Sequence, residues 1–137
     1  MANKKRVLFL CSGNSARSQM AEGLLREMAA DRFEAASAGT HPKGLHPQSV
    51  QAMKEVGIDI SGHKSKDVSQ FANEKFDYVI TVCDRAKTQC PVFPGAEPIH
   101  WGFDDPAEAP ADRQLETFRR VRDEIRQRLH LFLLAGH

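Results

Sequence analysis

Five residues, Ser12-Gly13-Asn14-Ser15-Ala16, separate Cys11 from Arg17, and Ser18 follows. A thiolate is a strong nucleophile, and a guanidinium is a planar fork that grips two oxygens of a tetrahedral anion. The small residues between them let the chain curl until successive backbone N–H groups converge on one point. Gly13 and Asn14 tolerate the positive φ that such a curl demands. The chemistry open to this set is attack by Cys11 on an oxyanion cradled by residues 12–18 and held by Arg17. The same field, helped by the Ser18 hydroxyl, is expected to bring the Cys11 pKa below the ordinary ~8.5.

Such a loop must be fixed at both ends. Val7-Leu8-Phe9-Leu10 reads as a buried strand running straight into Cys11. After Arg17 the apolar residues Met20, Ala21, Leu24, Leu25 and Met28 fall on one helical face. The loop therefore opens a helix, whose positive dipole end would face the anion.

Farther along, Tyr78-Val79-Ile80-Thr81-Val82 reads as a second buried strand ending in a cysteine, Cys83. Strands alternate with helical patterns, which predicts a parallel sheet with right-handed crossovers. Ligands in such sheets bind beyond the carboxyl ends of the strands, so Cys11 and Cys83 are expected to face one site. A strand is also expected over residues 33–38, and a helix from Pro47 through Val50, Met53 and Val56 to a stop at Gly57. Lys64 to Asn73 predicts a short surface helix. Asp84 to Gln89 predicts another, capped by Asp84 and ended by Pro91. Ile99-His100-Trp101 predicts an edge strand. From Ala111 the spacing of Leu115, Phe118, Val121, Ile125, Leu129 and Phe132 predicts a long amphipathic helix with a solvated, charge-balanced outer face.

Composition excludes several classes. The 137 residues, read as one domain over 1–137, carry 19 Lys and Arg against 18 Asp and Glu, too even a balance to attract nucleic acid or an anionic membrane. There is no apolar run of ~18 residues and no signal-peptide pattern, so the expected location is cytoplasmic. Three cysteines in a reducing compartment are working or buried thiols rather than a disulfide framework. The six histidines lack the ligand spacings of a zinc site, so no obligatory metal or cofactor is expected.

The Cys-x5-Arg-Ser loop between strand and helix resembles that of the low-molecular-weight protein tyrosine phosphatases. This resemblance implies a four-stranded, flavodoxin-like parallel sheet, and a general acid before Pro106: Asp105, with Asp104 as the fallback. In two respects the pattern departs from the phosphatases. Ala107-Glu108-Ala109 stands where they carry aromatic residues that wall a phenyl slot. Moreover Cys83 and Cys90 flank a short polar segment, as do the resolving cysteines of the thioredoxin-coupled arsenate reductases built on the same fold. With these reductases the similarity extends over nearly the whole chain: Gly13-Asn14-Ser15, residues 17–23, Ser37-Ala38-Gly39, Met53-Lys54-Glu55, the pair Cys83 and Cys90, and His100-Trp101-Gly102-Phe103-Asp104-Asp105-Pro106.

That narrower resemblance implies a relay. Cys11 attacks arsenate, Cys83 resolves the adduct, Cys90 takes over the disulfide, and thioredoxin reduces it in a protein expected to act as a monomer. Ala16 occupies a position where some relatives carry a further Cys. A potassium ion is held beside the loop in some relatives, which implies Asn14, Glu22 and Ser37 as ligands here. Lys66 falls where a fourth, acidic ligand belongs, with Asp67 next to it. The alternatives are a phosphatase acting on phosphomonoesters and a non-enzymatic thiol switch. The relay carries one geometric demand. Seven helical positions separate Cys83 from Cys90 by about 10.5 Å, whereas a disulfide needs α-carbons within about 7 Å, so that helix must unwind.

Overall fold

The computed structural model describes residues 4–83, 91 and 93–136. Cys90 and the helix expected over Asp84 to Gln89 lie outside these residues. Four parallel strands form the sheet: β1 (Lys5–Cys11), β2 (Phe33–Gly39), β3 (Tyr78–Thr81) and β4 (Glu97–His100). Their order is β2-β1-β3-β4. β1 is therefore an inner strand, and Val7 through Leu10 are wholly buried, as an uninterrupted apolar run requires. Because β1 and β3 are neighbours, with Leu10 opposite Thr81, the chain ends that follow them emerge side by side.

Among the described residues three α-helices cover the sheet: α1 (Arg17–Ala29), α2 (Pro47–Lys54) and α3 (Gln114–Leu134). α3 buries the stripe Phe118, Val121, Ile125, Leu129 and Phe132, each such side chain contributing about 1.5–3 kcal/mol. α2 starts on Pro47 and ends at Lys54, and the chain then turns through Gly57 at φ +81°. Gly23 lets α1 lie close to α2 and the residues after it, since a Cβ there would stand 2.9 Å from both Met53 and Ile60.

Two expectations are corrected. The helix expected over Lys64 to Asn73 is only a 3₁₀ turn at Val68–Phe71, capped by Asp67, because little apolar surface holds a longer one. The long helix begins at Gln114, after a 3₁₀ turn over Ala111–Arg113. Its outer face, with Arg120, Arg126 and Arg128 exposed, is solvated as expected, but one further arginine is not part of it. Arg122 is buried and donates to Ala52 O at 2.8 Å, tying α3 to α2.

Candidate active site

The loop after β1 bends because its outer side is fully bonded. A strap formed by residues 40–46 runs alongside it. Thr40 N–H donates to Cys11 O (3.3 Å), His41 to Ser12 O (2.8 Å), Lys43 to Gly13 O (2.9 Å) and His46 to Ser15 O (2.9 Å). Ser65 Oγ donates to Asn14 O at 2.7 Å. All five carbonyls from Cys11 to Ser15 are thus taken. Gly39 permits the close approach, since a Cβ there would meet Ser12 O at 2.6 Å and Asn14 N at 2.9 Å. The positive φ of the curl falls on Asn14 alone, at +46°; Gly13 does not use it.

With the carbonyls turned outward, the amides turn inward. Among the described residues nothing accepts from the N–H groups of Asn14, Ser15, Ala16 or Arg17, and no side chain caps α1. Ser12 Oγ and Arg17 Nε are buried without a partner. These donors surround a cavity of about 520 Å³ lined by Cys11, Ser12, Gly13, Ser15, Ala16, Arg17, Cys83 and Asp105, with Lys43 to Pro47, Ala107 and Glu108 at its walls. Asn14 and Ser18 are buried behind the loop rather than in the cavity. Asn14 Nδ2 donates to Ser18 Oγ at 2.8 Å, so that hydroxyl braces the loop instead of serving the sulfur as expected.

Arg17 is held in place from the far wall. Its NH1 donates to Phe103 O at 2.9 Å, and its NH2 stands 3.6 Å from Asp105 Oδ2. Asp105 also accepts from Ala107 N–H, which keeps its carboxylate over the cavity. Asp104 points away, onto Arg120 at 3.1 Å.

The two cysteines share the floor. Cys83 Sγ accepts from Ser12 N–H at 3.2 Å. The two sides of the site pull on the Cys11 titration in opposite senses. Its pKa is pushed well up, first by the hydrogen bond with Cys83 and then by burial, while the Arg17 charge and the Gly13 N–H pull it down. The leading cause, Cys83, arrives just after the neighbouring strand β3 rather than from the loop itself.

The residues of the possible potassium set are committed elsewhere. Glu22 accepts from Ser37 Oγ at 2.6 Å and from Arg26 at 2.7 Å, and Lys66 Nζ lies 4.0 Å away. Asn14 Oδ1 accepts from Lys66 N–H and from Gln19. The carboxylate already has two cationic neighbours, so this set does not fit an added cation. Among the described residues no group of three His, Cys, Asp or Glu side chains could hold a metal ion.

Strand, curled loop, uncapped helix and an arginine fork under an Asp-Pro turn define a phosphatase-type oxyanion site. The chain belongs to the low molecular weight phosphotyrosine protein phosphatase family, whose model matches residues 6–135. Among its relatives is the arsenate reductase of Halalkalibacterium halodurans, 47% identical over 98% of this chain and 99% of that protein. An arsenate reductase solved in its phosphate-binding state superposes with a TM-score of 0.78, at 34% identity over 97% of this chain and 99% of the other. The thioredoxin-dependent arsenate reductase of Corynebacterium glutamicum gives 0.74, at 29% identity over 98% of this chain and 65% of that one. The family resemblance and the parallel four-stranded fold expected from the sequence are both borne out. Among the described residues no helix is long and apolar enough to cross a membrane.

Proposed function

We propose that this protein reduces arsenate to arsenite by a thiol relay that thioredoxin regenerates. One observation carries the reading: a second cysteine sits beside the nucleophile, both sulfurs lining one oxyanion cavity. A phosphatase needs only Cys11; a two-electron reduction needs a partner for it. The names of the relatives support arsenate as substrate, and one of them supports thioredoxin as reductant.

In the first step Cys11 passes its proton to the bound arsenate dianion and its thiolate bonds to arsenic; Asp105 protonates the departing oxygen, which leaves as water, and an S–As(V) adduct remains. A step of this kind is worth roughly 10²–10⁴ in rate. Cys83 thiolate then attacks Cys11 sulfur; the S–As bond breaks with its electron pair on arsenic, which departs as arsenite. The Cys11–Cys83 disulfide is attacked by Cys90, freeing Cys11 and leaving Cys83–Cys90 for reduction by a thioredoxin dithiol. Asn14 and Ser18 shape the loop, and Arg17 and the amides of residues 13–17 hold the oxyanion.

The test supplies reduced protein with arsenate, thioredoxin, thioredoxin reductase and NADPH. NADPH oxidation that requires arsenate and matches arsenite one for one is expected. Hydrolysis of 4-nitrophenyl phosphate surviving Cys83→Ser, with no arsenate-dependent oxidation in the unmodified protein, would instead make it a phosphatase. Reversible oxidation of Cys11 without either turnover would make it a thiol switch.

A further inference from the structure

Among the described residues the oxyanion site is short of positive charge. Arg17 is the guanidinium among them, and Asp105 lies 3.6 Å from it, so the Arg17 charge is already shared with a carboxylate. A doubly charged tetrahedral anion then enters a cavity whose far wall also carries Glu108. Among the described residues lining that cavity, Lys43 is the other lysine or arginine.

Its placement is fixed by the strap. Lys43 N–H donates to Gly13 O, and the hydrogen bonds of His41 and His46 hold the strap on either side of it. The stem lies against the loop: a Cβ on Gly13 would stand 3.3 Å from Lys43 Cδ and 3.5 Å from Cγ. The methylenes cover the glycine while the ammonium stays exposed, an arrangement long cationic side chains adopt readily. No described carboxylate forms an ion pair with Lys43. An unpaired cation tied by its own backbone to the anion-binding loop has the dianion as its natural counter-charge.

We propose that Lys43 is a recognition residue of the oxyanion site. Its ammonium draws the doubly charged anion into the cavity and balances the charge that Arg17, shared with Asp105, leaves unmet. The proposal rests on the oxyanion-site reading and deepens it. A lysine serves here as a point charge, whereas orientation belongs to Arg17 and the amides.

The test uses the full chain and inorganic phosphate as probe, read by calorimetry and by protection of Cys11 from iodoacetamide. Lys43→Met keeps the stem and removes the charge; Lys43→Arg keeps both; Lys43→Glu reverses the charge. At low ionic strength Lys43→Met should weaken phosphate binding roughly threefold to tenfold and Lys43→Glu more, with Lys43→Arg near the unmodified protein. The differences should shrink in 0.5 M KCl, as screening demands. The KM for arsenate should rise by the same factor while kcat holds. Equal phosphate affinity in all four proteins overturns the proposal, and so does a fall in kcat at constant KM. Failure of the unmodified protein to reduce arsenate would remove the proposed function yet leave the phosphate measurements as the judge of Lys43.

Discussion

The two faces of the loop from Cys11 to Arg17 are built oppositely. On the outer face every carbonyl from Cys11 to Ser15 has its donor, from the strap or from Ser65. On the inner face four consecutive amides, a serine hydroxyl and the Arg17 Nε have no partner among the described residues. Each buried polar group left in that condition costs about 1–3 kcal/mol. The contrast shows where the loop's shape is decided. The outer bonds force the curl and hold the inner donors aimed at one point, so an anion meets them with little further rearrangement.

Breaking the inner face should have the largest effect. Arg17→Lys replaces a fork by a point charge, so arsenate turnover and phosphate protection of Cys11 should both fall by roughly 10²–10³. Near-normal kinetics in that variant would mean that the amides alone hold the anion. Breaking the outer face comes next. In Gly39→Ala the new Cβ would press on backbone atoms of Ser12 and Asn14, which cannot move aside singly. A stability loss of about 1–3 kcal/mol in urea unfolding is expected, with weaker phosphate binding; unchanged values for both would uncouple the loop's curl from its packing.

A subtler variant separates the two sulfurs. Cys83→Ala removes the leading cause of the raised Cys11 pKa, leaving burial opposed by Arg17 and Gly13. The pH–rate profile for alkylation of Cys11 should shift to lower pH, even as the relay is lost. A profile that stays in place would assign the shift to burial alone.

The smallest effect concerns the outer network. His63 lies between Gln19 Oε1 at 3.0 Å and Arg26 at 3.3 Å, and Gln19 in turn donates to Asn14. Arg26 can only donate, so the His63 ring accepts there at Nε2 and donates from Nδ1 as a neutral imidazole. Burial holds its pKa below the usual 6.5. As pH falls through about 6.5, the unfolded chain takes up its proton before the folded one does. The His63 contribution is therefore complete above that pH and declines below it. The drop in Tm between pH 7.5 and 5.5 should be smaller in His63→Gln; an equal drop would place the titration elsewhere.

The inner face was largely legible in the sequence, because its parts are contiguous. A strand, a small-residue curl and a helix opening on Arg17 can be read in one short window. Cys83 was legible through strand position and Asp105 through its place before Pro106, and the structure puts both at the cavity. The outer face was not legible. Nothing in residues 40–46 announced their role, since their pairing with the loop is a contact between segments far apart in the chain. Gly39 read as a strand end, although its need comes from Ser12 and Asn14. Nothing in the helical pattern marked Arg122, whose burial depends on where α2 lies. The Cys11 titration failed as an expectation for the same reason: the cradle is local, whereas the sulfur that opposes it arrives on another strand.

One feature of the sheet bears on how its borders meet other strands. β4 lies at an edge, and Glu97 and Trp101 direct their N–H groups inward to Asp77 O and Thr81 O. By the alternation of a strand, the nitrogen of Pro98 faces outward, where it has no hydrogen to offer. At the opposite edge, Gly39 on β2 is bridged to Asp67, and its N–H is taken by Lys66 O. A strand from another molecule would find a missing donor at the middle of one border and the end of the other already engaged. Both borders thus discourage edge-to-edge aggregation, a protection that keeps a cysteine-bearing sheet from being extended by its own copies.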